Sequence, residues 1–255
     1  MNATAPTVHL DVADGIATIR IDNPAKRNCL DSAMWDRLFD AATGAAGDPS
    51  VRVAVVRGVG DEAFSSGIDF DSITVGPDYL AAFETVETHM NRATEALAAL
   101  EIPVIAGIRG VCMGGGVQIA MAADFRIAAA DLRFGIAAAG LGIMYPLSAI
   151  EKMTRIAGAD VVKRLLIEGA ELEAAEALAA GFVEKIVPVA QFDDRLAETA
   201  ARVARQPPEI VLAYKKMIDN FTDGADAANA EIRDRALRSG VIDEKLAELG
   251  RRRRG

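Results

Sequence analysis

Metal-ligating side chains are scarce in this chain. Its 255 residues hold two cysteines, Cys29 and Cys112, and two histidines, His9 and His89. An all-cysteine zinc site is excluded, and a mixed site would need all four residues, none of which lie at ligand-pair spacing. So few thiols also exclude a disulfide scaffold and fit a reducing, cytoplasmic compartment. Positive charge is short as well: 28 Lys and Arg stand against 37 Asp and Glu, a formal net charge of −9. Nucleic-acid binding needs clustered positive charge, so no such partner is expected. The one basic run, Arg251–Arg254, reads as a solvated tail. Long apolar runs are missing too. Gly, Arg or Asp breaks each stretch before the ~18 residues of a membrane span, so no membrane partner is expected. Met1–Asp11 shows neither the basic nor the apolar region of a signal peptide. Neither GxGxxG nor GxxxxGK[ST] occurs, which removes the usual nucleotide cradles.

What remains is globular, 51% hydrophobic and 25% charged, and long enough for one large domain or two small ones. Val8–Val12 and Ile16–Ile21 are β-rich runs around Asp14-Gly15, a hairpin signal. Asp31 is an N-cap for a helix to about Ala46. Val51–Arg57, Pro103–Ile108 and Phe125–Ala128 read as strands, and Asp78–Leu100 and Gly114–Ala123 as helices. After Leu147 helical patterns dominate, at 147–156, 160–168, 173–180, 189–205, 207–220, 224–238 and 241–249, with one strand at Phe182–Val187. The class is α/β with a helical C-terminal part, the boundary near Pro188–Pro208.

Two glycine-bearing loops follow strands: Ala63–Phe70 (AFSSGIDF) and Gly110–Gln118 (GVCMGGGVQ). A strand, glycine turn and helix in that order present free backbone N–H groups at a helix N-terminus. Two such loops from neighbouring strands can aim two donors at one oxygen, an oxyanion hole. Tight strand–helix packing is the other reading of the same glycines.

These loops resemble the AFxAGxDL and GxxxGGGxE motifs of the crotonase, or enoyl-CoA hydratase/isomerase, superfamily. Asn23–Asp31 (NPAKRNCLD), Glu171–Pro188 (ELEAAEALAAGFVEKIVP) and Pro208–Asn220, with Lys215 and Lys216, resemble three further segments of it. The resemblance spans about Val8 to Leu249. It implies a ββα spiral core, residues 1–190, and a C-terminal helical trimerisation region, residues 191–255. The implied assembly is a homotrimer or a hexamer built as a dimer of trimers. The implied ligand is an acyl-CoA thioester, with coenzyme A entering as part of the substrate and no other cofactor or metal. Carried over by motif, the oxyanion donors are the N–H groups of Ser66 and Gly115. Ser65, Ser66, Gly67 and Ile68 would flank the CoA adenine and pantetheine. Lys26 and Arg27 would lie near its phosphates or form solvated surface.

The chain departs from the family pattern at both acidic positions. Gln118 ends the GxxxGGGxE motif, and Ala138 stands where F-G-x-P-E would supply the second glutamate. An amide is no general base, and a methyl group does nothing to a proton. Ordinary hydratase chemistry is therefore not expected, although Gln118 can still hold an ordered water. Tyr145 matches a tyrosine of the family's methylmalonyl-CoA decarboxylases, so decarboxylation of a malonyl-type thioester is one alternative. That pattern also needs a histidine where Ile68 stands, and packing before Pro146 is the other reading of Tyr145. A non-catalytic acyl-CoA-binding paralogue is the alternative from a different class. Glu84 and Glu87, sharing a helix face, either supply a base or are solvated. His89 lies elsewhere on that helix. Asp69 reads as structural, and Cys112 and Met113 as pocket-lining.

Overall fold

The chain opens with the hairpin that Asp14-Gly15 encodes. In the computed structural model, which describes residues 5–73, 78–222 and 228–237, β1 (Thr7–Ala13) and β2 (Ile16–Asp22) pair antiparallel with Ala13 opposite Ile16. Asp14 and Gly15 have φ of 52° and 76°, as a two-residue primed turn requires. Asp31 then caps α1 (Ser32–Gly47), its carboxylate accepting from Met34 N at 2.8 Å.

Three ββα units follow. The first is β3 (Val53–Gly58), β4 (Ala63–Ser65) and α2 (Tyr79–Ala98). The second is β5 (Val104–Ile108), β6 (Val111–Met113) and α3 (Gly115–Ala122). The third is β7 (Phe125–Ala129), β8 (Arg133–Gly135) and α4 (Leu147–Ala157). After these come α5 (Ala159–Lys163), β9 (Glu171–Glu173), α6 (Ala174–Ala179), β10 (Lys185–Val187), α7 (Phe192–Ala204), α8 (Pro208–Thr222) and α9 (Asn229–Leu237).

The first strand of each unit enters a six-stranded sheet, β1-β2-β3-β5-β7-β10, and the second enters a four-stranded sheet, β4-β6-β8-β9. Apart from the β1–β2 and β8–β9 pairs, every pairing is parallel. This is the repeated-turn α/β architecture expected. It differs in detail. The stretch 58–67 contains β4, and β6, β8 and β9 lie in segments read as loop or helix. Each has three residues, too few for a period-2 pattern. The helix expected over 160–168 ends in a π-helical turn at Arg164–Glu168. The helix expected at 241–249 and the tail at 251–254 lie outside the described residues, as do parts of the helix expected over 224–238.

Alternation along the parallel strands splits the core in two. Ala54, Val56, Val104, Ala106 and Ile108 face α1, α2 and α3, among them Met34, Trp35, Leu38 and Leu97. Val53, Val55, Ile105, Ile127 and Val187 face Phe192, Leu196 and Ala200 of α7. Each large aliphatic or aromatic side chain buried this way stabilises the fold by about 1.5–3 kcal/mol. The helical region counted from 191 thus begins with a helix that belongs to the core. Leu196 sits so close to Gly107 that a Cβ there would meet it at 2.3 Å.

Candidate active site

The two glycine loops leave adjacent strands of the four-stranded sheet, β4 and β6, so the topology sets them side by side. Gly67 has φ +92°, and a Cβ on it would lie 2.5 Å from Gly115 N and 3.0 Å from Met113 O. Only a residue without a side chain lets the loops meet this closely. A Cβ on Gly115 would in turn lie 3.1 Å from Met90 Sδ and 3.2 Å from Trp35 Cζ2, so α1 and α2 wall the meeting point.

Residues 23–31 lace the first loop into place. Asn28, itself at φ 55°, donates to Ala63 O at 2.7 Å and Val59 O at 3.0 Å and accepts from Asn23 N at 2.9 Å. Ser65, fully buried, donates to Asn28 O at 2.7 Å and accepts from Gly67 N at 3.0 Å. Ser66 N donates to Arg27 O at 2.9 Å, Leu30 N to Gly67 O at 2.8 Å, and Asp69 N to Leu30 O at 2.9 Å.

That lacing overturns one expectation. The Ser66 N–H is taken by the Arg27 carbonyl and is not a free donor. The N–H groups of residues 66, 67 and 69 are all engaged, and among the described residues no acceptor lies on Ile68 N. The parallel bridge between Leu30 and Ile68 accounts for this. Leu30 bonds the residues on either side of Ile68, so the N–H of Ile68 points away from that segment. Extended backbone alternates its N–H groups, and the positive φ of Gly67 displaces that alternation by one residue. A motif alignment carries no sign of φ.

The other N–H carried over by motif is that of Gly115. Gly115 is the first residue of α3, and its N–H has no intrahelical partner. Gly114, at φ 50° and ψ −116°, turns the chain into the helix. Its carbonyl accepts from Gln118 N at 3.3 Å and from Tyr145 Oη at 2.9 Å. In a trans peptide C=O and N–H point in opposite directions, so Gly115 N–H points out of the start of α3. The helix dipole adds positive potential there. Two unengaged donors from adjoining loops can bind one developing negative oxygen.

Gln118 and Ala138, which stand where the family motifs carry glutamates, sit in different surroundings. Gln118 is buried and donates Nε2 to Asn91 Oδ1 at 2.8 Å and Thr94 Oγ1 at 3.1 Å of α2. Its Oε1 and the Trp35 indole Nε1 are buried without a partner among the described residues. Ala138 is buried and accepts from Leu141 N and Ile143 N. Tyr145 is 9% exposed. Burial, with Cys112 beside it, pushes its phenol well above the ordinary value, so it is a neutral donor. Cys112 is fully buried, and burial raises its thiol far too high for a nucleophile.

Other residues singled out by sequence serve the scaffold. Lys26 Nζ lies 3.0 Å from Asp69 Oδ2 and 2.9 Å from Asp71 Oδ2, and these hydrogen bonds hold its ammonium firmly protonated. Its charge is already matched, which the phosphate expectation did not foresee. Asp69, read as structural, also accepts from Asp71 N. Arg27 borders a cleft of about 460 Å³ that also holds Asp61 and Glu62. His89 pairs with Asp36 at 2.7 Å. Glu84 is exposed and Glu87 half-buried. Neither carboxylate has a partner among the described residues. Sequence reasoning missed Ile68 as a donor and Asn28, Met90 and Trp35 as the walls and ties of the site.

The family model for enoyl-CoA hydratase/isomerase matches residues 11–251. A crotonyl-CoA hydratase of Syntrophomonas wolfei is 31% identical over 196 residues, 76% of this chain and 74% of that one. A carnitinyl-CoA dehydratase of Escherichia coli is 29% identical over 236 residues, 92% of this chain and 87% of that one. A solved enoyl-CoA hydratase/carnithine racemase from Magnetospirillum magneticum has a TM-score of 0.89 at 28% identity, covering 98% of this chain and 94% of that one. With this fold, these loops and these relatives, the chain belongs to the enoyl-CoA hydratase/isomerase family of the crotonase superfamily.

Proposed function

We propose that the protein processes an acyl-CoA thioester through an enolate whose oxygen lies between the N–H groups of Ile68 and Gly115. The reading is supported by the close contact of Gly67 with Gly115, which brings together two loops whose Ile68 and Gly115 N–H groups have no acceptor among the described residues. In enzymes with an oxyanion hole a donor of that kind is worth ~3–4 kcal/mol of barrier. Coenzyme A comes with the substrate, and the proposed chemistry routes no step through a metal or a further cofactor.

The reaction is not ordinary enoyl hydration. Adding water across a double bond needs a base for the water and an acid for the α-carbon. Gln118 is tied to Asn91 and Thr94, and Ala138 offers a methyl group. Decarboxylation of a malonyl-type thioester is the second reading, and the missing carboxylates favour it. Loss of carbon dioxide leaves its electron pair as the enolate without a base, and water then returns a proton to carbon.

The assembly proposed is a homotrimer or a dimer of trimers. Tyr214, Ile218 and Phe221, exposed at i, i+4 and i+7 on α8, support an association through the C-terminal helices. A cytoplasmic location fits two buried free thiols, and among the described residues no helix is long and apolar enough to cross a membrane.

A mass-spectrometric screen of CoA thioesters tests the reading. The expected result is no hydration of crotonyl-CoA above the buffer rate and conversion of at least one other thioester. Rapid crotonyl-CoA hydration refutes the mechanism. Calorimetric titration that finds no binding of any acyl-CoA refutes the function as a whole, and binding without turnover identifies a non-catalytic paralogue.

A further inference from the structure

We propose that Tyr145 is a positioning residue that acts on the substrate carbonyl through the Gly114–Gly115 peptide, its hydroxyl orienting and polarising the Gly115 N–H. The inference deepens the proposed function and rests on it.

The geometry starts from a weak point. Gly114, Gly115 and Gly116 are consecutive, and no side chain restrains rotation of the peptide between the first two. Rotation of that peptide unit would replace the N–H in the site by a carbonyl, turning an oxyanion donor into a repulsive oxygen. Within α3 the Gly114 carbonyl is held only by Gln118 N, at 3.3 Å, a long bond for an N–H donor. The bond from Tyr145 Oη is shorter, at 2.9 Å, and comes from a residue outside the helix. It fixes the carbonyl and, through the planar peptide, the opposite N–H.

Tyr145 is built to hold that bond. Its ring lies in the main core cluster. Pro146 follows it, which confines Tyr145 to extended backbone. Pro146 is also the N-cap residue of α4, which packs on α3. The tyrosine is therefore locked between the two helices whose relative position it reads. A hydrogen bond accepted by a peptide carbonyl also strengthens the N–H of the same unit as a donor. Burial keeps the phenol protonated.

The same bond bears on the decarboxylase reading. A hydroxyl has one proton, and here it goes to Gly114 O. A substrate carboxylate offers only acceptors, so Tyr145 as placed has no proton to give it. Its effect reaches the reacting atoms through Gly115.

Infrared difference spectroscopy of bound butyryl-CoA labelled with ¹³C at the thioester carbonyl tests this. The saturated thioester reports hydrogen bonding at the carbonyl without turnover. In the wild type the band should move to lower frequency on binding. In Tyr145→Phe most of that shift should be lost while butyryl-CoA binds within about twofold. With a substrate found by the screen, kcat should fall by ~10²-fold, the cost of weakening one oxyanion donor, with little change in KM. An undiminished shift in Tyr145→Phe overturns the inference and leaves the proposed function standing. No shift in the wild type overturns the proposed function and the inference with it. Should Tyr145→Phe fail to fold, 3-fluorotyrosine at position 145 takes its place in the same measurement. Its more acidic hydroxyl donates more strongly and should enlarge the shift, and an unchanged shift overturns the inference.

Discussion

Gly67→Ala perturbs the site by adding one methyl group and removing no side chain. A Cβ at residue 67 would stand 2.5 Å from Gly115 N and 3.0 Å from Met113 O. Both obstacles are backbone, so no rotamer relieves them. To reach an ordinary contact of 3.4 Å the loops must part by 3.4 − 2.5 = 0.9 Å. Alanine at φ +92° adds a left-handed penalty of ~1–2 kcal/mol. Overpacking of a close contact adds about 1–3 kcal/mol, so the expected loss of stability is about 2–5 kcal/mol. Gly169→Ala separates the two effects. Gly169 has φ +71° with nothing within 4 Å of a Cβ, so it should lose only the ~1–2 kcal/mol of strain. Urea denaturation measures both variants, and turnover of a thioester found by the screen measures the site. Misplacing reacting groups by ~1 Å costs about 10²-fold in rate. Gly67→Ala should lose that much kcat/KM, while Gly169→Ala keeps wild-type turnover. Equal stability losses in the two variants, or full turnover in Gly67→Ala, would refute the claim that the donors act as a pair across this contact.

Asn28→Ala should cost about 2–6 kcal/mol in urea denaturation, because it strands the buried Asn23 N and Ala63 O, which Asn28 now satisfies at 2.9 and 2.7 Å, at about 1–3 kcal/mol each. A loss below 1 kcal/mol would show that the lacing of residues 23–31 is not what holds the first loop. Burial, with Asp69 adding to it, lifts the Cys29 thiol to about 11 from its ordinary 9.0. The folded chain keeps that proton after the unfolded chain has released it. Stability present below 9.0 should therefore fall as pH rises towards 11. Cys29→Ser should flatten that part of the profile, and an identical profile in the variant counts against it. Glu87 shares the α2 face of Asn91 and Thr94, the partners of Gln118, at i, i+4 and i+7. If the converted thioester must lose an α-proton, Glu87→Gln should lower kcat by ~10²-fold or more and Glu84→Gln should leave it unchanged. Equal effects of the two substitutions would remove α2 as the source of a base.

What was legible in the sequence is what short stretches encode by themselves. Asp14-Gly15 specifies its hairpin, Asp31 caps its helix, and the two glycine loops announce close backbone approach. The three-residue strands β4, β6 and β8 were not legible, because each is defined by its parallel neighbours and not by a pattern of its own. Lys26 looked like an anion contact because its carboxylate partners lie 43 and 45 residues away. Ser66 looked like a donor because its motif position says nothing of the sign of φ at Gly67. The bond from Tyr145 to a backbone carbonyl 31 residues away leaves no trace in the identity of Gly114.

The glycines alone do not separate catalysis from packing. Gly116 would place a Cβ 2.2 Å from Ser65 O, so a chain with no chemistry left would still need it. The donors are a stronger discriminator. Ile68 is buried, yet its N–H has no acceptor among the described residues. A structural loop as densely laced as residues 65–69 could satisfy that group as it satisfies its neighbours. The open Ile68 N, next to the Gly67 that touches Gly115, breaks that lacing at the place where an oxygen could be bound. A binding protein and an enzyme both need that oxygen, so the carbonyl frequency and turnover must be measured together. A polarised carbonyl with no converted thioester would make the protein an acyl-CoA receptor. A polarised carbonyl with turnover, both diminished in Tyr145→Phe, would make it an enzyme that works through backbone amides.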